Sequence, residues 1–357
     1  MGNTVRVGFL GAGGIARAHA YALDALKFYY EDAPEISKVV VASPTPSSRE
    51  SFAGRFGFAE AVPPEKIWDR KDIDTLYITG PNHTHTPQLL KAVKMPNIDR
   101  IYVEKPLAVS QIEIEQLEAL NRSDHGKFIM IGYQFLQKSP IRRALDHWKS
   151  GDFGDLIHFR IEYLHSSYLD PEYRQKRKSR LAPIPQNGAA VDLGSHALSM
   201  LTAFLGDRLV VLNAAASGDF DDVPGESDLC TTVMLKDPVT GGVGTMVASR
   251  VSAGTGDSFR LELWGSRGSI LFDTTQPDIY RSYLPGEGWC THDVMSDYLP
   301  ASKFPSDYMP TGWLRALIHN HYLFLGGEPG ISFIPNLHHG IVVQHLLQDI
   351  AKYLVAE

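Results

Sequence analysis

The feature that most constrains the fold is a glycine-rich turn near the start of the chain. An apolar run, Val5–Leu10, leads into the pattern G-x-G-x-x-A, and an apolar-striped helix pattern follows. Glycine lets the backbone turn tightly and approach a pyrophosphate, and the helix N-terminus offers free N–H groups. The turn therefore predicts dinucleotide binding, although a glycine-rich turn without a ligand is the alternative. The predicted contacts are Gly11, Gly13, Gly14, Ile15 and Ala16.

The end of the second predicted strand, residues 38–42, bears on which dinucleotide is bound. NAD-preferring folds usually present an acidic residue here for the ribose hydroxyls. This chain has Ser43, Thr45 and Arg49 instead, with no carboxylate among them. Either NAD or NADP is therefore expected as the cofactor, because hydroxyls and a cation do not repel a 2′-phosphate. A helix that starts at Ser47 would instead carry Arg49 to a solvated face.

Two further predicted strands end in polar residues. Residues 74–79 lead into GPNHTH, and residues 101–103 lead into Glu104-Lys105-Pro106. Proline cannot continue a strand ladder, so Lys105 is expected where a strand stops, at the edge where open α/β sheets bind ligands. A plain surface lysine is the alternative. The predicted cofactor contacts in these loops are Asn82, His85, Glu104 and Lys105.

Strands and helices alternate over residues 4–132, which predicts a doubly wound parallel sheet and a dinucleotide-binding domain at 1–132. Longer strands with short turns then predict a mostly antiparallel sheet in an α+β domain at 133–357. We interpret residues 168–185 as a charged connecting loop and residues 274–312 as irregular. The other predicted elements of this half are strands at 156–164, 211–217, 229–235, 244–251, 259–263 and 269–272, and helices at 139–151, 188–205, 313–325 and 337–354.

The helix predicted at 188–205 carries Asp192 and His196, which are four residues apart and therefore project from one face. Such a pair is either a catalytic couple or a structural hydrogen bond. Gly194 lies between them and costs roughly 1 kcal/mol relative to alanine in a helix. Its missing side chain would admit a ligand or a closely packed neighbour.

Composition excludes several classes of protein. The net charge of −7 argues against nucleic-acid binding, and no apolar run reaches the ~18 residues of a membrane span. A strand pattern that starts at residue 5 leaves no room for a signal peptide, so a cytoplasmic location is expected. Two cysteines, Cys230 and Cys290, are too few for a disulfide framework. His83 and His85 could bind a metal only with a third ligand, and none lies nearby in the sequence. No metal is predicted.

Several segments together resemble the glucose–fructose oxidoreductase/inositol dehydrogenase family, Gfo/Idh/MocA. They are GAGGIA at 11–16, GPNHTH at 80–85, EKP at 104–106, DLGSH at 192–196 and LELWGSRGSILF at 261–272. The resemblance implies an N-terminal Rossmann domain and a C-terminal α+β domain with a large, mostly antiparallel sheet. In this family an open face of that sheet commonly joins subunits, so a homodimer or homotetramer is expected.

The resemblance also implies an NAD(P)-dependent oxidoreductase that acts on a secondary hydroxyl of a sugar, an inositol-like polyol or a glycoside. Lys105, Asp192 and His196 match the catalytic trio of the family. His196 would take the hydroxyl proton, Lys105 would stabilise the alkoxide charge, and Asp192 would orient the substrate or His196. Redox-neutral glycoside cleavage and a non-catalytic NAD(P)-binding sensor remain alternatives. The candidate substrate contacts are His165, Tyr168 and Arg180, with Tyr163 and Tyr283 as further polar aromatics.

Overall fold

A six-stranded sheet with all strands parallel is built from the first third of the chain, in the order β3-β2-β1-β4-β5-β6. The strands are β1 Val5–Leu10, β2 Ile36–Ala42, β3 Glu60–Val62, β4 Thr75–Ile78, β5 Arg100–Val103 and β6 Phe128–Ile131. This is the strand order of a dinucleotide-binding Rossmann fold, and it confirms the predicted doubly wound sheet. The computed structural model describes residues 4–218, 220–223, 227–294, 298, 312–330 and 332–354.

Helices follow most of these strands and cover the sheet. They are α1 Gly14–Tyr29, α2 Pro46–Phe56, α3 His85–Ala92 and α4 Gln111–Arg122. The first helix forms where small and aliphatic residues recur every three or four positions, and Ala16, Ala20 and Leu23 of this stripe are buried. The short strand β3 was not predicted, because its three residues are all at least partly exposed and form no apolar run.

An eight-stranded sheet follows, in the order β14-β13-β12-β11-β7-β10-β9-β8. Only β7 and β10 pair in parallel, which confirms the mostly antiparallel prediction. Its strands are β7 Leu156–Leu164, β8 Val210–Ser217, β9 Cys230–Lys236, β10 Val243–Ser249, β11 Ser258–Gly265, β12 Ser269–Asp273, β13 Ile279–Leu284 and β14 Gly288–Asp293. Phe159 and Ile161 of β7 are fully buried, whereas the alternate residues Arg160 and Glu162 are partly exposed.

Two loop predictions are wrong. Residues 274–312 were expected to be irregular, yet β13 and β14 lie there, while 295–297 and 299–311 fall outside the described residues. The segment 168–185 contains helix α6, Pro171–Lys176, whose start carries a cap that the sequence analysis overlooked. Asp170 accepts a hydrogen bond from the Glu172 N–H, and proline occupies the first helical position.

The chain divides into two units whose boundaries are not a single point in sequence. The parallel-sheet unit comprises the described residues of Met1–Ala108, Ile112–Gln137 and Ser296–Gly340, and the other unit comprises the described remainder. Part of the C-terminal segment that the sequence analysis assigns to the second domain thus belongs to the first unit. The remaining helices are α5 Ser139–Lys149, α7 Ser195–Leu205, α8 Gly312–Phe324 and α9 Leu337–Leu354.

Helix α8 completes the core of the parallel-sheet unit. Its residues Leu317, Leu323 and Phe324 are buried in one cluster with Tyr77 and Tyr102 of the sheet. The Phe324 ring meets the rings of Tyr77 and Tyr102 edge-on, at centroid distances of 5.4 and 5.5 Å. No helix among the described residues is long and apolar enough to cross a membrane.

A histidine in the same unit makes its stability depend on pH. His339 is buried against the rings of Tyr133 and Phe333, and burial lowers its pKa to about 3. The unfolded chain, in which a histidine titrates near ~6.5, therefore binds this proton first, so stability falls as pH drops below ~6.5.

We expect His339→Phe to reduce that loss of stability by about 1.4 kcal/mol per pH unit between pH 6 and 5. Denaturant unfolding at several pH values measures it, and an unchanged slope would contradict the prediction.

Candidate active site

The glycine turn after β1 requires glycine at its first position for two reasons. Gly11 has φ = +119°, a conformation that residues with side chains rarely adopt. A Cβ at this position would also lie 2.7 Å from the backbone carbonyl of Thr79, which follows β4. Because β1 and β4 are neighbours at the point where the strand order reverses, this close approach forms the floor of the predicted nucleotide site.

The next glycines face open space. A Cβ on Gly13 or on Gly14 would meet no atom within 4 Å. Gly13 caps helix α1 without a side-chain hydrogen bond, and the first turn contains no acidic residue. A pyrophosphate would fit this cradle, because uncapped N–H groups and the positive end of the helix dipole favour an anion. Ile15 is partly exposed beside it, and Ala16 is buried against the core.

The loop after β2 keeps Arg49 close to the end of the strand. The Arg49 guanidinium donates hydrogen bonds to the carbonyls of Ser43 and Pro44, at 3.1 and 3.2 Å. Thr45 is the N-cap of α2, so Arg49 lies in the first turn of that helix. Its side chain folds back over the loop rather than extending away. The residues predicted to meet the adenosine ribose, Ser43, Thr45 and Arg49, are therefore adjacent in space.

His85 joins the loops that follow β4 and β5. Its Nδ1 lies 2.7 Å from the carbonyl oxygen of Pro106, and its Nε2 lies 2.9 Å from that of Gly80. The ring is buried, and this burial lowers the pKa of His85. The sequence predicts that His85 contacts the cofactor, whereas both of its ring nitrogens face backbone carbonyls. This geometry favours a role in holding the two loops, on one of which the partly buried Asn82 lies.

The two charged residues in the turn after β5, Glu104 and Lys105, differ in how deeply they are buried. The Glu104 side chain is 5% exposed, and its Oε1 lies 2.9 Å from His19 Nε2 of helix α1. Lys105 is only partly buried. The carboxylate that the sequence predicts to contact the cofactor thus points into the protein, which favours a positioning role for it.

Among the described residues, no group of three or more His, Cys, Asp or Glu is arranged to hold a metal ion.

In the second unit, two arginines bind the carboxylate of Asp192. Arg180 donates to Oδ1 and Arg250 to Oδ2, each at 2.9 Å. The Arg250 side chain is fully buried and that of Arg180 is 41% exposed. Arg250 also donates to the Arg180 carbonyl at 2.7 Å and lies 4.7 Å from the centre of the Tyr168 ring. Arg250, which directly follows β10, was missed by sequence reasoning.

A π-helical turn, Ala190–Gly194, carries Asp192 into helix α7, and His196 is buried in the first turn of that helix. The ring of Tyr163 is 6.0 Å from that of His196. A Cβ on Gly194 would lie 3.2 Å from Met246 Cε, so this glycine admits a closely packed neighbour from β10. The Asp–His helix is thus held tightly against the sheet.

The predicted substrate contacts of the second unit are mostly brought together. The His165 ring lies 6.0 Å from the Tyr168 ring, and burial and the Arg250 charge lower the pKa of His165. Tyr168 packs under the guanidinium that binds Asp192, and Arg180 binds the same carboxylate. Tyr283 is the exception. It lies on β13, three strands from β7, and its ring faces that of Trp289.

Two family models, one for each half of the chain, define a two-unit, NAD-binding oxidoreductase. The chain belongs to the Gfo/Idh/MocA family. The family's sequence model described as "Oxidoreductase family, NAD-binding Rossmann fold" matches residues 5–133, and the model for the GFO/IDH/MocA C-terminal domain matches residues 141–271. The cofactor of this chain is accordingly a nicotinamide dinucleotide.

Characterised relatives are similar over most of their length. Levoglucosan dehydrogenase from Pseudarthrobacter phenanthrenivorans is 27% identical over 77% of this chain and 75% of its own. Inositol 2-dehydrogenase from Rhizobium meliloti is 24% identical over 99% and 98%. Among solved structures, levoglucosan dehydrogenase in complex with NADH and levoglucosan has a TM-score of 0.86 at 23% identity, covering 99% of this chain and 98% of its own. The structural similarity shows the shared fold.

The two kinds of glycine in the turn should respond differently to substitution. We expect Gly11→Ala to destabilise the protein, because it forces a side chain onto φ = +119° and against Thr79. Gly13→Val should fold normally, because no atom lies within 4 Å of a Cβ at this position. It should bind NADH weakly, because the methyl groups of the valine would occupy the cradle. Thermal unfolding and NADH fluorescence titration test both variants. Unchanged NADH affinity in Gly13→Val would refute the cradle.

The two arginines on Asp192 form a matched pair for mutation. Arg250→Met should lower the free energy of unfolding by about 1.5–3 kcal/mol, because it removes a fully buried, charge-assisted donor from a partly buried carboxylate. Arg180→Met removes the exposed partner of the same carboxylate and should cost about 1 kcal/mol or less. Denaturant unfolding of both variants decides the comparison. Equal losses would show that burial of Arg250 does not matter to the pair.

Proposed function

We propose that the protein transfers hydride between a nicotinamide cofactor and a secondary hydroxyl or ketone of a sugar, an inositol-like polyol or a glycoside. The observation that carries the proposal is the Asp192 cluster in the second unit. Arg180, His165 and the carboxylate itself gather hydrogen-bonding groups around a helix that also carries a histidine. A substrate with several hydroxyls needs such a dense set of donors and acceptors.

The names of the relatives support the same substrate class. Levoglucosan dehydrogenase, inositol 2-dehydrogenase and a glucose-6-phosphate 3-dehydrogenase are each named for a cyclic polyhydroxylated compound. Several further relatives are named as 3-reductases of a dTDP-linked didehydro sugar. Reductases and dehydrogenases in one set fit a reversible hydride transfer at a ring carbon.

A bound nicotinamide would supply the hydride acceptor for the carbinol carbon in the proposed reaction. His196 takes the hydroxyl proton, since an imidazole with an ordinary pKa near ~6.5 suits a base at neutral pH. Lys105 donates a hydrogen bond to the same oxygen and stabilises its developing charge. Asp192 is bound by two arginines and orients the substrate hydroxyls.

The choice between NAD and NADP rests on the loop after β2. Arg49 stays at the strand end through its bonds to the Ser43 and Pro44 carbonyls, and the loop offers hydroxyl groups but no carboxylate. We propose that this loop accepts a 2′-phosphate as well as a free ribose hydroxyl, so that both dinucleotides bind.

We also propose that the chain forms a homodimer or homotetramer through the sheet face opposite Phe159 and Ile161. Met234 and Val243 lie on neighbouring strands of this sheet and are 45% and 37% exposed. Apolar side chains exposed on a wide sheet favour a subunit interface. Light scattering on purified protein tests the oligomeric state, and a monomer would refute this proposal.

The function is tested by titrating the protein with NAD(H) and NADP(H), then screening polyols, sugars and glycosides by nicotinamide absorbance. Turnover with stoichiometric NAD(P)H formation on one of these groups supports the dehydrogenase. Binding without net absorbance change, but with glycoside cleavage, would replace it with the redox-neutral reaction. Binding without any turnover would favour a sensor, and no binding would refute the whole proposal.

Lys105→Ala and His196→Ala should each lower kcat by about 10²-fold or more, the usual contribution of a proton-transfer group, and leave NADH affinity unchanged. If both residues act on one transition state, the double variant should lose much less than the product of the two single losses. Steady-state kinetics and NADH titration measure these effects. Parallel loss of NADH affinity in His196→Ala would contradict its assignment as the base.

A further inference from the structure

A chain of hydrogen bonds runs through the interior of the parallel-sheet unit and ends on Glu104. Glu104 Oε1 is 2.9 Å from His19 Nε2, and His19 Nδ1 is 2.8 Å from His321 Nε2. His321 Nδ1 is in turn 3.0 Å from the hydroxyl of Tyr77. The four side chains come from the turn after β5, from α1, from α8 and from β4.

All four groups are buried. His19, His321 and Tyr77 are fully buried, and the Glu104 side chain is 5% exposed. Polar atoms at such depth need partners within the protein, because water does not reach them. There is also no room to spare around the carboxylate, since a Cβ on Gly132 would lie 2.5 Å from Glu104 Oε1.

Hydrogen-bonding capacity gives the chain one direction when Glu104 is a carboxylate and both imidazoles are neutral. His19 Nε2–H then donates to Glu104, so His19 Nδ1 accepts from His321 Nε2–H, and His321 Nδ1 accepts from the Tyr77 hydroxyl. Each neutral imidazole uses one donor and one acceptor, which fixes both tautomers. Burial, together with the neighbouring His19, holds the pKa of His321 well below its usual range. His321 therefore stays neutral, with one ring nitrogen as donor and the other as acceptor.

The far end of the chain does not lead to solvent. Tyr77 is fully buried, and burial raises the pKa of its hydroxyl well above the usual range. A path that exports a proton needs an exit to water, so this arrangement is suited to holding groups in place. It also connects two functional segments, because His19 lies on the helix whose first turn forms the pyrophosphate cradle and Glu104 directly precedes Lys105.

We propose that His19 and His321 are positioning residues for catalysis, which fix the Glu104 carboxylate and thereby hold the backbone of Lys105 in place. The inference rests on the proposed function, because its kinetic effect acts through Lys105. The Glu104 N–H also donates to the Ile78 carbonyl at 2.9 Å, so the residue is held by its backbone and by its side chain. Such double attachment fixes the start of the Lys105 turn.

The test compares three variants in helix α8. His321→Phe removes both hydrogen bonds of the ring while keeping an aromatic ring in place. His321→Gln retains one acceptor for Tyr77 and one donor for His19. His319→Phe is the matched control, since His319 is equally buried in the same helix and bonds the Tyr30 hydroxyl at 2.7 Å and Ser332 Oγ at 3.1 Å.

We expect His321→Phe to lower kcat by about 10- to 100-fold, the cost of misplacing a catalytic group by around an ångström, with NADH affinity unchanged. His321→Gln should recover most of kcat. His319→Phe should lose comparable thermal stability and keep kcat. Equal loss of kcat in the two phenylalanine variants, or no recovery in His321→Gln, would show a general loss of packing and overturn the proposal.

Hydrogen–deuterium exchange supplies a readout that needs no substrate. The peptide spanning residues 101–109 should exchange faster in His321→Phe than in wild type, and at the wild-type rate in His319→Phe. Unchanged exchange in His321→Phe would overturn the proposal even if the protein is an active dehydrogenase. Conversely, wild-type protein without turnover would refute the proposed function and leave the exchange comparison valid.

If His321→Phe does not fold, Tyr77→Phe replaces it, because this change removes only the last hydrogen bond of the chain. The buried acceptor on His321 then lacks its donor, so exchange in 101–109 should rise and kcat should fall, each by less than in a variant without the imidazole. Wild-type exchange and wild-type kcat in Tyr77→Phe would together overturn the proposal.

Discussion

The ion pair between Asp192 and Arg250 is the interaction on which the functional surface of the second unit depends. The Arg250 guanidinium is fully buried, so its donors depend on acceptors within the protein, and both of its terminal nitrogens find them. Arg250 meets a helix through Asp192, a loop through the Arg180 carbonyl and an aromatic ring through Tyr168. One cation thus sets the relative positions of three candidate substrate contacts.

The first unit also buries an ionisable side chain, but in this unit it is an acid rather than an arginine. This acid is Glu104, and a histidine rather than an arginine is its partner. In both units a member of the network precedes the residue predicted to react. Glu104 comes one position before Lys105, and Asp192, the partner of Arg250, comes four positions before His196. Hydrogen bonds of this kind restrict the side chains that they join, so each network holds in place the segment that carries a residue predicted to react.

Local signals explain what the sequence predicts well. The glycine turn, the strand that ends at the lysine and the apolar periods of the helices each lie within a few residues, and the structure confirms both sheets from them. Arg250, His19 and His321 gave no such signal, because their partners are 58 to 302 positions away in sequence. Strands β13 and β14 were also missed, because glycine-rich turns and polar residues obscure the short alternation of apolar and polar side chains that identifies a strand. A lone buried arginine or histidine has no characteristic spacing, so only the fold reveals it.

The discontinuity of the parallel-sheet unit has a consequence for synthesis on the ribosome. Residues up to 137 emerge early, but helix α8, which covers Tyr77, Tyr102 and His19, is translated after the whole eight-stranded sheet. Until α8 is translated, part of the core of the nucleotide-binding unit therefore stays uncovered, and the polar network around Glu104 is incomplete. Long-range contacts of this kind slow folding and expose apolar surface to other chains. The hydrogen-bond partner that α8 supplies to His19 is thus added only after the eight-stranded sheet has been translated.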